Sequence, residues 1–265
     1  RNKALFHIAP DGKLGYYAAG SHDVFYPAGG CRLLPEMFDD IARFSEEFLL
    51  HAATWFCALA LRTAADGAVT AVLYAVRETA EMRAAAYAWA DALCARFPFV
   101  AGAFAGWGDP AAPDTRLTLL RGDDALHDTF LGLRLRISPA AFYQVNHAVA
   151  EALCRTVAEF AALRAGESAA DLYCGTGVIG MTLAAQTPDA SVTGIEINPH
   201  AVADARVNAA ENRLGNIRFH CGDSASAQKS GSRFDCVVID PPRRGSSPEM
   251  LAALRRLAPA RIVYV

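Results

Sequence analysis

ADLYCGTGVIG, residues 170–180, is the stretch from which the rest of the chain is read. An apolar lead-in runs to Asp171, and Gly175, Gly177 and Gly180 follow in a tight turn that opens a helix. Glycines there permit φ values and a close backbone approach that other residues resist. Residues 175–180 satisfy the GxGxxG spacing of dinucleotide-binding turns. An acid four residues ahead of the first glycine repels a pyrophosphate, however, and suits a cationic or hydroxyl-rich ligand.

Working outward, short apolar runs alternate with helical patterns. Strands are predicted near 169–173, 192–197, 217–221, 234–240 and 261–265, with helices near 178–187, 199–213 and 247–257. This βαβ rhythm predicts an α/β fold with a doubly wound, mostly parallel Rossmann-like sheet, whose ligands bind beyond the carboxyl ends of the strands. Acids stand at four successive strand ends: Asp171, Glu196, Asp223 and Asp240. Glu196 suits a ribose diol, and Asp223 an adenine amino group. Asp240 is followed by Pro241-Pro242, which offer no N–H to a ladder and hold the corner extended. Such a cradle fits a nucleoside that is cationic and lacks phosphates. S-adenosylmethionine meets that description.

Residues 1–137 read as an α+β domain and 138–265 as the ligand-binding domain. KALFHI and KLGYYA are predicted strands around the turn PDGK, and 35–65 reads as one or two helices. AVTAVLYAVR, FVAGAFAGW, TRLTLLRG and TFLGLRLRIS are strand candidates, and ETAEMRAAAYAWADALCARF is an Ala-rich helix. AFYQVNHAVAEALCRTVAEFAAL is an amphipathic helix with its lead-in.

Hydrophobic residues make up 53% of the chain, and no run approaches the roughly 18 apolar residues of a membrane span. RNKALFHIAPDG lacks a signal-peptide pattern and an initiator Met, so the chain is expected to start inside a longer one. Seven cysteines without a CxxC pair point to reduced thiols and a cytoplasmic location, and a monomer is expected. A net charge of -3 does not advertise nucleic acid. Local basic pairs, Arg1 with Lys3, Arg134 with Arg136, and Arg243 with Arg244, are candidates for phosphate contacts.

AFYQVN, DLYCGTG, GIEINPHAV, CGDS and DPPRRG, in that order, resemble the RNA uracil-C5 methyltransferases. The resemblance is strong over 138–265, weaker through 1–35, and one of layout between. It implies a methyltransferase sheet with an N-terminal α+β domain, S-adenosylmethionine as cofactor, and RNA as partner, 23S rRNA ahead of transfer RNA. It also implies roles: Gln144, Tyr173, Glu196, Asp223 and Asp240 at the cofactor, with Asp240 between cofactor and target base. Phe142 or Tyr143 would flank a flipped uridine. Val178 stands where many relatives carry a cofactor-touching asparagine. The nucleophilic cysteine and the general base are expected beyond Val265. Cys31 resembles the fourth ligand of a [4Fe-4S] cluster whose other ligands precede residue 1. An amino-group methyltransferase using Asp240-Pro241-Pro242, and a relative that only binds RNA, remain open at this point.

Overall fold

The turn at Pro10–Lys13, closed by the Ala9 N–H on the Lys13 carbonyl (2.8 Å), folds Lys3–Ile8 (β1) back onto Leu14–Tyr17 (β2). This hairpin is one side of a seven-stranded sheet in the computed structural model, which describes residues 1–265 except 28, 29, 51, 113, 114, 226, 228–232 and 244. The other strands are Val24–Phe25 (β3), Phe56–Thr63 (β4), Val69–Ala75 (β5), Val100–Trp107 (β6) and Arg116–Gly122 (β7), in the order β3-β2-β1-β4-β5-β6-β7. Helices Glu36–Leu49 (α1) and Ala80–Arg96 (α2) pack on one face through Phe38, Ile41, Trp89 and Leu93. The Trp89 indole donates to Ser45 Oγ (3.1 Å), satisfying two buried polar groups at once.

The helical reading of 35–65 holds only for α1. Phe56–Thr63 is a strand between β1 and β5. Its FCALALRT composition favours helix locally, yet Leu59 and Leu61 point into the helix-covered core while Ala58 and Ala60 line the opposite face. Burial on both faces overrides propensity here. TFLGLRLRIS likewise resolves into Leu126–Phe130 (β8) and Leu133–Ile137 (β9), joined by Leu131-Gly132, both at positive φ.

The chain divides into two compact units, Arg1–Asp128 and Thr129–Val265. The division lies ahead of the expected boundary at 137/138 because β9 is tied to a helix of the second unit, as detailed below. That unit continues with His147–Ala161 (α3), Ser168–Leu172 (β10), Val178–Gln186 (α4), Ser191–Glu196 (β11), Pro199–Glu211 (α5), Ile217–Cys221 (β12), Cys236–Ile239 (β13), Pro248–Leu257 (α6) and Arg261–Tyr264 (β14). Its five-stranded sheet is parallel throughout, in the order β12-β11-β10-β13-β14. β10 is central, with β11 on one side and β13 on the other. That is the topological switch point, where ligands of such sheets bind. Among the described residues no helix is long and apolar enough to cross a membrane.

Candidate functional site

Because the strands are parallel and in register, Leu172 opposite Ile195 and Ile239, and Glu196 opposite Cys221, their carboxyl ends share one edge. The acids differ sharply in what they do there. Asp171 is the last but one residue of β10 and is fully buried. Its Oδ2 accepts from the Gly180 N–H (2.7 Å), the third residue of α4. The N-cap of α4 is Gly177, which has no side chain to cap it. The carboxyl of the preceding strand therefore supplies the cap and meets the positive end of the helix dipole. This is the physical reason that a phosphate has no place in the turn: the Gly180 N–H already has its acceptor. Gly177 is confined to glycine twice over, by φ +81° and by the Phe219 ring 2.4 Å from where a Cβ would stand.

Asp171 Oδ1 is buried and has no hydrogen-bond partner among the described residues. Burial, with Asp240 and Glu196 adding repulsion against the Gly180 hydrogen bond, pushes the carboxyl up to about 7. Burial also raises Asp240, which follows β13 directly and is half-buried, its N–H 3.4 Å from the Leu172 carbonyl. Glu196 is engaged through both oxygens: Oε2 accepts from the Gly175 N–H (3.0 Å) and Oε1 from the Asn198 N–H (2.8 Å). It thus braces the glycine turn against the start of α5, whose cap is Asn198. Tyr173 bridges these parts. It is a non-glycine residue at φ 64°, its N–H donates to Ser224 Oγ (3.1 Å), and Ser224 Oγ donates to the Ile195 carbonyl (3.4 Å). Such a backbone costs about 1–2 kcal/mol and persists where surrounding structure imposes it. Asp223 is exposed and its Oδ1 accepts from the Ala225 N–H (2.9 Å).

Of the expected acids, Glu196 and Asp240 are therefore close enough to perturb Asp171, which lies beneath the rim rather than on it. Gln144 is half-buried and stands before α3, not in it, since the helix is capped by Asn146. Tyr143 is buried, its hydroxyl 3.4 Å from His147 Nδ1 and its ring tilted edge-on to Phe130. Phe142, 64% exposed, is the one of that pair open to a ligand. Arg136 forms an ion pair with Asp204 and is not a free phosphate contact, whereas Arg134 and Arg243 are exposed. Arg244 lies outside the described residues. Desolvation and the cross-strand Arg62 hold the Lys3 ammonium down at about 8.

Burial raises the thiols of Cys57, Cys94, Cys154, Cys174 and Cys236, Cys154 to about 12 and Cys174 well above the usual range, with nearby carboxylates adding to both. None of these five is a thiolate at neutral pH. Among the described residues no group of three His, Cys, Asp or Glu side chains is placed to hold a metal, so Cys31 has no companion ligand there. Cys31 lies instead against Tyr16, whose hydroxyl it helps to raise.

The fold is a Rossmann-like parallel sheet with an acid-lined switch point, and residues 149–261 match the methyltransferase small domain family. The chain is homologous to the RNA uracil-C5 methyltransferases. It is 40% identical over 162 residues to human tRNA (uracil-5-)-methyltransferase homolog A, covering 59% of this chain and 26% of that protein. An uncharacterised RNA methyltransferase of Gloeobacter violaceus is 31% identical over 285 aligned positions, covering all of this chain and 60% of the relative. The chain thus spans between a quarter and three-fifths of the length of these two relatives. Its fold matches that of the Pyrococcus abyssi tRNA (uracil-54, C5)-methyltransferase, solved with S-adenosyl-L-homocysteine, at a TM-score of 0.74 and 22% identity over all of this chain and 65% of the other.

Proposed function

We propose that this chain belongs to an enzyme that methylates C5 of a uridine in RNA, with S-adenosylmethionine as methyl donor. The observation that carries the reading is the buried, unpartnered Asp171 oxygen among Glu196 and Asp240 at the switch point. Such an oxygen fits a cationic ligand carrying hydrogen-bond donors and does not fit a phosphate. When bound, S-adenosylmethionine supplies an electrophilic methyl group on a positively charged sulfur. Glu196 would take the ribose hydroxyls and Asp223 the adenine. Tyr173 and Gln144 would pack against and contact the cofactor. Asp240 would stand between cofactor and uracil, with Phe142 beside the base and Arg243 on RNA phosphate.

Uracil C5 is a poor nucleophile until a thiolate adds at C6, after which a base must remove the C5 proton. Cys57, Cys94, Cys154, Cys174 and Cys236 are held as thiols, so the reading assigns the thiolate to none of them. For substrate, transfer RNA replaces the sequence-based preference for 23S rRNA. The human and Pyrococcus proteins described above are both named for transfer RNA.

The test uses the full-length protein with S-adenosylmethionine and either transfer RNA or 23S rRNA fragments containing 5-fluorouridine. A covalent complex with the transfer RNA is expected. A complex with ribosomal RNA alone overturns the substrate, and none at all, while ordinary uridine is methylated, overturns the thiolate route. Asp240→Asn should lower kcat about a hundredfold or more while moving Tm by less than about 2 °C. Parallel loss of stability and activity would remove Asp240 from the site.

A further inference from the structure

We propose that Asp204 and Asn208 of α5, with Asn212 at its C-cap, form a positioning clamp that fixes the segment 138–146 relative to Glu196; its consequence for cofactor binding rests on the function proposed above. The three residues recur every fourth position and so share one helix face. They meet the edge of β9 that faces away from β8, where Arg134 and Arg136 would otherwise present bare N–H and C=O groups. Asn212 Oδ1 accepts from the Arg134 N–H (2.9 Å) and its Nδ2 donates to the Arg134 carbonyl (2.6 Å). Asn208 repeats the pattern on Arg136, accepting at 2.6 Å and donating at 3.1 Å. A carboxamide offers an acceptor and donors together, so each asparagine pairs as a strand residue would.

The ladder ends with a change of chemistry. Asp204 Oδ2 accepts from the Ser138 N–H (2.8 Å), while Oδ1 pairs with the Arg136 guanidinium. A carboxylate has no donor, so the Ser138 carbonyl is left to accept from the Ala141 N–H (3.1 Å). The strand stops there and the chain turns toward Phe142 and Gln144. At its other end α5 is capped by Asn198, whose N–H donates to Glu196. One rigid helix therefore sets the distance between Glu196 and the turn at Ser138. Asp204 and Asn208 are 1% and 0% exposed, burial that apolar residues would fill without needing partners. Their polarity is accounted for by what they hold.

The test compares wild type, Asn208→Ala/Asn212→Ala and Asp204→Asn in the full-length protein, reading amide hydrogen exchange and S-adenosylmethionine affinity. In the double variant, exchange over 134–146 should quicken by at least about tenfold, with β10 and β11 unchanged. The Kd for S-adenosylmethionine should rise about tenfold. Asp204→Asn keeps an acceptor for Ser138 and should hold Kd within about threefold of wild type. Equal acceleration through β10 to β14 would make the residues merely structural and overturn the clamp. Faster exchange with unchanged Kd would overturn positioning as well. A wild-type protein that binds no S-adenosylmethionine overturns the functional reading instead, and protection of 138–146 then decides the clamp by itself.

Discussion

Tyr173 shows how a single residue can carry both strain and function. Its left-handed backbone is one that only glycine adopts freely, and it lies between the buried end of β10 and the glycine turn. The strain can be measured apart from the ring. Tyr173→Ala and Tyr173→Gly remove the same aromatic contacts, but only glycine relaxes the backbone. The glycine variant should be more stable than the alanine variant by about 1 kcal/mol in urea unfolding. Equal stabilities would show that the conformation costs nothing. The family resemblance made this residue a site candidate, whereas its conformation was not legible, since nothing in DLYCGTG states a φ angle. The burial of Asp171 was illegible in a related way. Its position signalled an acid at the cradle, but one-dimensional spacing does not say that Gly180 returns over it and buries it.

At the scale of elements, α3 and α6 both end in alanines at positive φ, Ala162 at 41° and Ala258 at 42°. Glycine is the usual residue at such a terminus. Ala162→Gly and Ala258→Gly should each stabilise the fold by up to about 1 kcal/mol, read as a rise in the urea midpoint at unchanged m. A fall in the midpoint at either site would mean that its methyl group packs. The parallel strands and their helices were readable because caps, prolines and β-branched runs agree with one another, as at Asn198-Pro199 and Ser247-Pro248. β4 was not, because Ala and Leu alternate in a helix-favouring composition and only its neighbours in the sheet make it a strand. The face formed by Asp204, Asn208 and Asn212 also escaped notice. Polar residues at fourfold spacing look like a solvated face until burial is known.

For the molecule as a whole, the Asp171 carboxyl couples folding to pH. Its value rises from an ordinary 3.8 to about 7 on folding. Below pH 4 both states are protonated and the fold loses nothing. Between about 4 and 7 the unfolded chain ionises while the folded one stays neutral, so this group's contribution to stability declines as pH rises, and levels off above 7. Glu167 and Asp235, held low by hydrogen bonds, act in the opposite sense, losing their contribution as pH falls. The difference between wild type and Asp171→Asn isolates the first effect. In urea titrations it should change in the asparagine variant's favour from pH 4 to 7 and stay flat outside that window. A difference independent of pH would mean that Asp171 is ionised in the folded protein.

The central place of β10 has a consequence for synthesis and assembly. Its partner β11 follows within a single βα unit, but its other partner is far along the chain: Ser168 meets Asp235 across 67 residues. Pairing over such a separation closes a long loop and comes late in folding. As the chain leaves the ribosome, Asp171 and Glu196 can meet early, while Asp240 arrives only when β13 has been made and inserted beside β10. The acid-lined strand edge is thus completed only after β13 has been inserted, and occupancy of it certifies that β13 stands beside β10.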